Sequence, residues 1–229
     1  LYIHSKLLIA DDQIVICGSA NLNDRSQLGN HDSEIAVVIE DPNSIDSLMD
    51  GRPYQASTFA SSLRRQIFRK HLGLLPAQDP RKPTGNFLPI DKCSNEYDWD
   101  SPADRLVCDP LSEQFSEHWN RTARINTEVF ARAFHVVPVD NCTNWDHYKE
   151  WYEKFFVSTS SGFDEENIPP KYEYGHLVKE EFPGGVREAK EWLSRIKGSL
   201  VEMPLNFMNE VDFAVAGIKL NALTAEIYT

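Results

Sequence analysis

The stretch HSKLLIADDQIVICGSANLN, residues 4–23, decides the fold. Two short apolar runs flank the polar triplet Asp11-Asp12-Gln13, and this pattern predicts two strands joined by a turn. Further along the chain, residues 33–39 are nearly continuous in apolar side chains, which predicts a third strand that is buried on both faces. Residues 54–72 carry apolar side chains at helical spacing, and a further helix is predicted to open at Asp109. These patterns predict both strands and amphipathic helices in the chain.

The same stretch brings reactive side chains to one end of the predicted hairpin. Alternate residues of a strand share a face about 7 Å apart, so we expect His4 and Lys6 to project together. The returning strand leads into Gly18, Ser19 and Asn21, and Gly18 allows a tight turn or a close approach of two backbones. An imidazole, a cation, a hydroxyl and a carboxamide in one small volume suit a phosphodiester. They can bind its oxygens, and the imidazole can attack phosphorus or transfer a proton.

Composition limits the partners. The chain has 229 residues and a net charge of -12, from 35 acidic and 23 basic side chains. Such a chain is a poor general binder of nucleic acid, so any phosphate site must be local. Four cysteines without a CxxC pair indicate a reducing compartment, and no apolar run approaches the roughly 20 residues of a membrane span. The other histidines lack metal-ligand spacing and are expected to be surface or packing residues: His31, His71, His118, His135, His147 and His176.

We expect three regions along the chain. Residues 1–75 hold the motif and the core, residues 76–107 read as a long exposed insertion punctuated by prolines, and residues 108–229 form a helical and C-terminal region. An aromatic helix at residues 145–156 is expected to pack in a core. The helix at 54–72 carries four basic residues: Arg64, Arg65, Arg69 and Lys70. They could bind phospholipid head groups, or they could form a solvent-exposed face of the helix. We favour the solvent-exposed face.

The spacing HxKxxxxDxxxxxxGSxN within the opening stretch resembles the signature of the phospholipase D superfamily, and every defined position matches. Residues 21–36 resemble the second such motif of the eukaryotic phosphatidylcholine-hydrolysing members. Residues 201–205 and 226–229 resemble the C-terminal signature of that group, whereas residues 76–107 look more like a fungal variant. The chain therefore resembles the C-terminal half of such an enzyme, and we expect it to be a fragment of a longer protein.

The resemblance implies a pseudo-two-fold α/β fold, a mixed sheet flanked by helices, in which each half contributes one motif to a shared site. One histidine attacks phosphorus to form a phosphohistidine, while the other protonates the leaving alcohol and then activates water. Because His4 lies in the second motif, the resemblance assigns it the general acid and then the general base. The reciprocal assignment, with His4 as the nucleophile, stays open.

The resemblance also assigns roles to the remaining motif residues. Lys6, Ser19 and Asn21 would hold the phosphoryl oxygens. Glu34 stands where the family has a carboxylate that orients a catalytic imidazole. Asp11 completes the catalytic set of the motif, although its position at the hairpin turn favours a structural role. No metal or other cofactor is required, because Lys6 supplies the cation.

The implied activity is hydrolysis of phosphatidylcholine to phosphatidic acid and choline, with transfer of the phosphatidyl group to primary alcohols. The expected partners are a phospholipid substrate and the N-terminal half with the first motif, at a peripheral membrane contact in the cytoplasm and without nucleic acid. With one motif, the chain alone is expected to be inactive. Two alternatives remain open: another phosphodiesterase, nuclease or cardiolipin-type synthase of this superfamily, or a non-catalytic binding module.

Overall fold

The molecule consists of two compact units, Leu1–Trp119 and Asn120–Thr229. In the described residues, strands and helices build the first unit and helices the second, so the predicted α/β class is confirmed. The structure, a computed structural model, describes residues 3–75, 81, 97–134, 140, 142–155 and 177–211.

A three-stranded antiparallel sheet carries the motif. Its order is β1 (Lys6–Ala10), β2 (Ile14–Gly18) and β3 (Ala36–Glu40). Both central residues of the β1–β2 turn, Asp11 and Asp12, have a φ of 51°, a left-handed conformation that aspartate tolerates better than most residues. Two left-handed residues match the twist of a hairpin, and the predicted hairpin is confirmed.

The third strand is not buried as predicted. Val37 and Val38 are each 58% exposed, on opposite faces of β3. The cross-strand partners of Val37 are Cys17 and then Leu7, which are also exposed. An apolar run reports a preference for burial, but it cannot report whether a covering layer is present. Burial in this sheet is concentrated towards the turn, where Val15 of β2 is 1% exposed, whereas the site end is open.

A second hairpin, which the sequence analysis missed, precedes the long helix of unit 1. Strands β4 (Ser44–Met49) and β5 (Arg52–Ser57) are joined at Asp50-Gly51, both with positive φ. The Asp109 carboxylate accepts hydrogen bonds from both backbone N–H groups of this turn, at 3.0 and 2.7 Å. The predicted helix at 54–72 therefore starts later than expected. A short helix, α1 (Asp24–Gln27), lies between β2 and β3, and the helix after β5 is α2 (Thr58–His71).

Three arginines of α2 are buried, which corrects the predicted solvated face. They are between 2% and 7% exposed, and the carboxylate partner of each lies outside the helix. Burial of a guanidinium requires such a partner, because an unpaired charge is costly to remove from water. Each guanidinium also lies over an aromatic ring: Arg64 pairs with Asp12 and covers Phe68, Arg65 pairs with Asp104 and covers Trp99, and Arg69 pairs with Asp98 and covers Tyr97.

The end of the predicted exposed insertion belongs to this buried layer. Helix α3 (Pro102–Cys108) begins after Ser101, whose hydroxyl caps it by accepting from the Asp104 N–H at 3.1 Å. Val107 is fully buried and Asp104 is 2% exposed. The prediction of an exposed segment is wrong for this part, because ion pairs rather than an apolar stripe bury it. Residues 76–80 and 82–96 lie outside the described residues.

Three further α-helices lie in the remaining described residues. They are α4 (Glu113–Phe134), α5 (Trp145–Phe155) and α6 (Gly185–Leu193), and α4 crosses the boundary between the units. A core cluster of unit 2 centres on Ala133, Phe182 and Ala189. Trp145 of the aromatic helix is 59% exposed, so its predicted core packing does not extend to this residue. In the parts of the chain that the structure covers, no helix is long and apolar enough to cross a membrane. Residues 226–229 lie outside those parts.

Candidate active site

The side chains of His4 and Lys6 meet at the start of β1. The Lys6 ammonium lies 3.0 Å from Nδ1 and 3.1 Å from Nε2 of His4, and it donates to the His4 carbonyl at 2.8 Å. An ammonium has only donors, so a ring nitrogen that accepts from it carries no proton. The contact therefore holds an unprotonated ring nitrogen of His4 next to the positive charge of Lys6, at an exposed position on the hairpin.

Gly18 is the residue opposite Lys6 in the β1–β2 ladder. A Cβ atom at this position would lie 2.8 Å from the carbonyl oxygen of Ile35 and 2.9 Å from Cβ of Ala36. Its backbone is not in the left-handed region, so the motif needs glycine for close approach to β3 and not for a turn. The sequence analysis left these two explanations open.

Ser19 follows directly and joins the end of β2 to the start of β3. Its N–H donates to the Ile35 carbonyl, and its Oγ accepts from the Ile35 N–H, both at 3.0 Å. The hydroxyl hydrogen is donated to the Glu34 carboxylate. A hydroxyl has a single hydrogen, so Ser19 can donate to a phosphoryl oxygen only after its O–H turns away from Glu34.

The Glu34 carboxylate is an ionised neighbour of this cluster. The hydrogen bond from Ser19, together with one from Ser26, holds the pKa of Glu34 below its ordinary value of 4.5, and the charge of Lys6 acts in the same direction. The Glu34 carboxylate accepts from the hydroxyls of Ser19 and Ser26, whereas the resemblance implies an imidazole partner. Glu34 thus adds a negative charge that links the two strand ends.

Asn21 lies in the loop between β2 and β3, which is held in a defined shape. The Asn21 N–H donates to Ser26 Oγ at 3.0 Å, and the Ser26 N–H donates to Asn23 Oδ1 at the same distance. Arg25 forms an ion pair with Asp32 at 2.7 Å. No role was predicted for Asn23 or Ser26 from the sequence, although asparagine is a preferred residue at the N-cap of a helix.

Asp11 is not brought to this cluster, which corrects its inclusion in the catalytic set. Asp11 lies five residue steps along the chain from Lys6, a distance of about 17 Å at 3.3 Å per residue. Its carbonyl accepts from the Tyr54 hydroxyl at 2.7 Å. The neighbouring Asp12 is the buried aspartate of the turn, at 3% exposure.

The other described histidines are scattered. The ring of His71 meets Trp119 edge-on, and burial lowers the pKa of this histidine. His147 is hydrogen-bonded to Thr143, and His31 is exposed. No group of three or more His, Cys, Asp or Glu side chains within the described residues could hold a metal ion. Two further histidines, His135 and His176, lie outside those residues.

A cation, an imidazole and a hydroxyl grouped at one end of a hairpin, with Asn21 in the loop that follows, define a candidate phosphoryl-transfer site. Residues 1–88 match the family model described as Phospholipase D. The chain is 34% identical over 233 residues to phospholipase D1 of Mus musculus and 35% identical over 219 residues to phospholipase D zeta 1 of Arabidopsis thaliana. These alignments cover 100% and 93% of this chain, and each covers 17% of the relative.

Phospholipase D1 of Schizosaccharomyces pombe is 58% identical over 74 residues, which are 32% of this chain and 5% of that relative. The chain belongs to the phospholipase D superfamily, which confirms the resemblance seen in the motif. The chain spans about a sixth of the length of the relatives that match it from end to end.

Substitution of Gly18 by alanine should destabilise the sheet by about 1–3 kcal/mol, because the added methyl group overpacks against β3. Urea denaturation monitored by circular dichroism measures this change. Adding Ala36→Gly should restore part of the loss, since one of the two close atoms is then removed while the Ile35 carbonyl remains. An unchanged midpoint for Gly18→Ala would show that the strands are not so close.

Substitution of Ser19 by alanine should raise the pKa of Glu34 towards 4.5, because the largest cause of its depression is lost. In the unsubstituted chain, the lowered pKa contributes stability that is present above pH 4.5 and is lost as the pH falls through the folded-state value. Ser19→Ala should weaken this acid dependence. Carboxyl carbon NMR titration measures the pKa, and Ser33→Ala, at the exposed residue beside Glu34, is the control. Equal pKa values in both variants would contradict the contact.

Proposed function

We propose that this chain supplies one of the two catalytic motifs of a phospholipase D that hydrolyses phosphatidylcholine to phosphatidic acid and choline. The contact of the Lys6 ammonium with the His4 ring, beside Gly18 and Ser19, carries this proposal. Support comes from membership of the superfamily and from full-chain relatives that are named phospholipase D.

The proposed reaction has two steps. A histidine of the other motif attacks phosphorus, the bond from phosphorus to the choline oxygen breaks, and His4 gives a proton to that oxygen. Water then attacks the phosphohistidine, and His4 takes the proton of the water as the phosphorus–nitrogen bond breaks. A primary alcohol in place of water gives transphosphatidylation by the same route. His4 must carry a proton in the first step, so the ring nitrogen that donates it can no longer accept from the Lys6 ammonium.

Charge in the transition state is proposed to be stabilised mainly by Lys6. Its ammonium is a fixed donor, and Asn21 adds an amide from a loop that Ser26 and Asn23 hold in place. Ser19 would join them once its hydroxyl turns from Glu34 to the phosphoryl oxygen. Glu34 is proposed to hold Ser19 in position between turnovers. It would form and break no covalent bond during the reaction.

The second motif is proposed to come from other polypeptide, most simply the N-terminal half of the same enzyme. The sequence contains a single HxKxxxxD pattern, and the chain spans 17% of its full-chain relatives. We propose a peripheral contact with the cytoplasmic face of a membrane, since the substrate is a bilayer lipid. The net charge of -12 argues against the alternative nucleic-acid substrate.

In polypeptide that carries both motifs, His4→Asn should lower choline release from phosphatidylcholine vesicles by about 10²–10⁴-fold, because asparagine cannot transfer the proton. His147→Asn on α5 is the matched control and should retain activity. Single-stranded DNA offered to the unsubstituted enzyme should not be cleaved. Choline release by His4→Asn at the rate of the control would overturn the assignment, and cleavage of DNA without choline release would favour a nuclease.

A further inference from the structure

The turn of the motif hairpin is bound by a buried ion pair. Both oxygens of the Asp12 carboxylate accept from Arg64, one from Nε and the other from Nη2, each at 2.7 Å. The same guanidinium donates to the carbonyls of Val107 at 2.6 Å and Cys108 at 3.0 Å. Because a two-bond fork fixes an angle as well as a distance, this pair sets the direction in which the hairpin leaves α2.

Backbone contacts of the sheet with β5 and α2 lie at the same end. The Ser57 N–H, at the start of α2, donates to the Asp12 carbonyl at 2.8 Å. Where β3 ends, the Asn43 carbonyl accepts from Thr58 at 2.9 Å and the Asp41 carboxylate accepts from Phe59 at 3.1 Å. The turn end of the sheet is therefore held by α2, while His4, Lys6 and Ser19 lie at the opposite end.

We infer that Asp12 and Arg64 are positioning residues for the reaction, which set the orientation of the site-bearing sheet relative to α2. This inference rests on the proposed function. The strand between the turn and Lys6 is about 17 Å long, so a rotation of about 5° at the turn moves the site end by roughly 1.5 Å. A misplacement of about 1 Å can lower a rate 10²-fold when a group must meet phosphorus in line.

Unit 1 contains a second buried ion pair on α2, which can serve as a control for the effect of lost stability on the rate. Arg65, the next residue of α2, forms an equally buried ion pair with Asp104 at 3.0 Å, with exposures of 3% and 2%. That pair joins α2 to α3 and does not touch the hairpin turn. Loss of Asp104 should therefore cost stability without turning the sheet.

The kinetic test compares Asp12→Asn with Asp104→Asn in polypeptide that carries both motifs, at temperatures where both are folded by circular dichroism. Asparagine tolerates the left-handed backbone at position 12. With phosphatidylcholine as substrate, Asp12→Asn should lower kcat about 10- to 100-fold and leave KM within about 2-fold, and Asp104→Asn should retain kcat. Arg64→Lys keeps the charge but loses the fork, so it should show a smaller fall in kcat. If Asp12→Asn does not fold, Arg64→Lys tests the same ion pair in its place.

A fall in kcat shared equally by Asp12→Asn and Asp104→Asn would overturn the inference, and so would a rise in KM alone. Inactivity of the unsubstituted enzyme would instead count against the proposed function. The orientation itself is then measured without turnover, by residual dipolar couplings of backbone amides in the 229-residue chain. One alignment tensor should fit β1–β3 and α2 together in the unsubstituted chain and in Asp104→Asn, whereas Asp12→Asn should need two. A single tensor in all three would overturn the inference.

Discussion

The ion pair between Asp12 and Arg64 is the constraint on which the arrangement of unit 1 depends. Two opposite charges at 8% and 2% side-chain exposure are stable only if their hydrogen-bonding capacity is met. Arg64 meets it with four bonds, two to the hairpin turn and two to the end of α3. One guanidinium therefore joins three parts of the chain that are more than 40 residues apart in sequence.

At the other end of the hairpin, the reactive side chains must lie close together, and this requires closely packed strand ends. The motif needs a lysine, a histidine and a serine close together, and an antiparallel ladder provides this only if the strand ends approach closely. Gly18 permits the approach because it has no side chain to meet Ile35 and Ala36. Ser19 and Glu34 then close the strand ends with hydrogen bonds. The site end of the sheet is exposed, and the described contacts of the sheet with α2 lie at its turn end.

The sequence predicted the local features of the site well and the tertiary ones poorly. Strand alternation and turn chemistry were sufficient for the hairpin and for the meeting of His4 with Lys6, because both depend on residues close in sequence. The burial of Arg64 could not be predicted, since its partner is 52 residues away. The exposure of Val37 was also out of reach, because composition does not reveal which layers cover a sheet.

The most direct test of the account is single-turnover kinetics of His4→Asn, in polypeptide with both motifs, on a phosphodiester with a p-nitrophenol leaving group. Nitrophenolate leaves without a proton, whereas hydrolysis of the intermediate still needs a base to activate water. The account predicts a burst of nitrophenolate and a covalent phosphohistidine that accumulates on the other motif. Absence of both the burst and the adduct would contradict it and would make His4 the nucleophile.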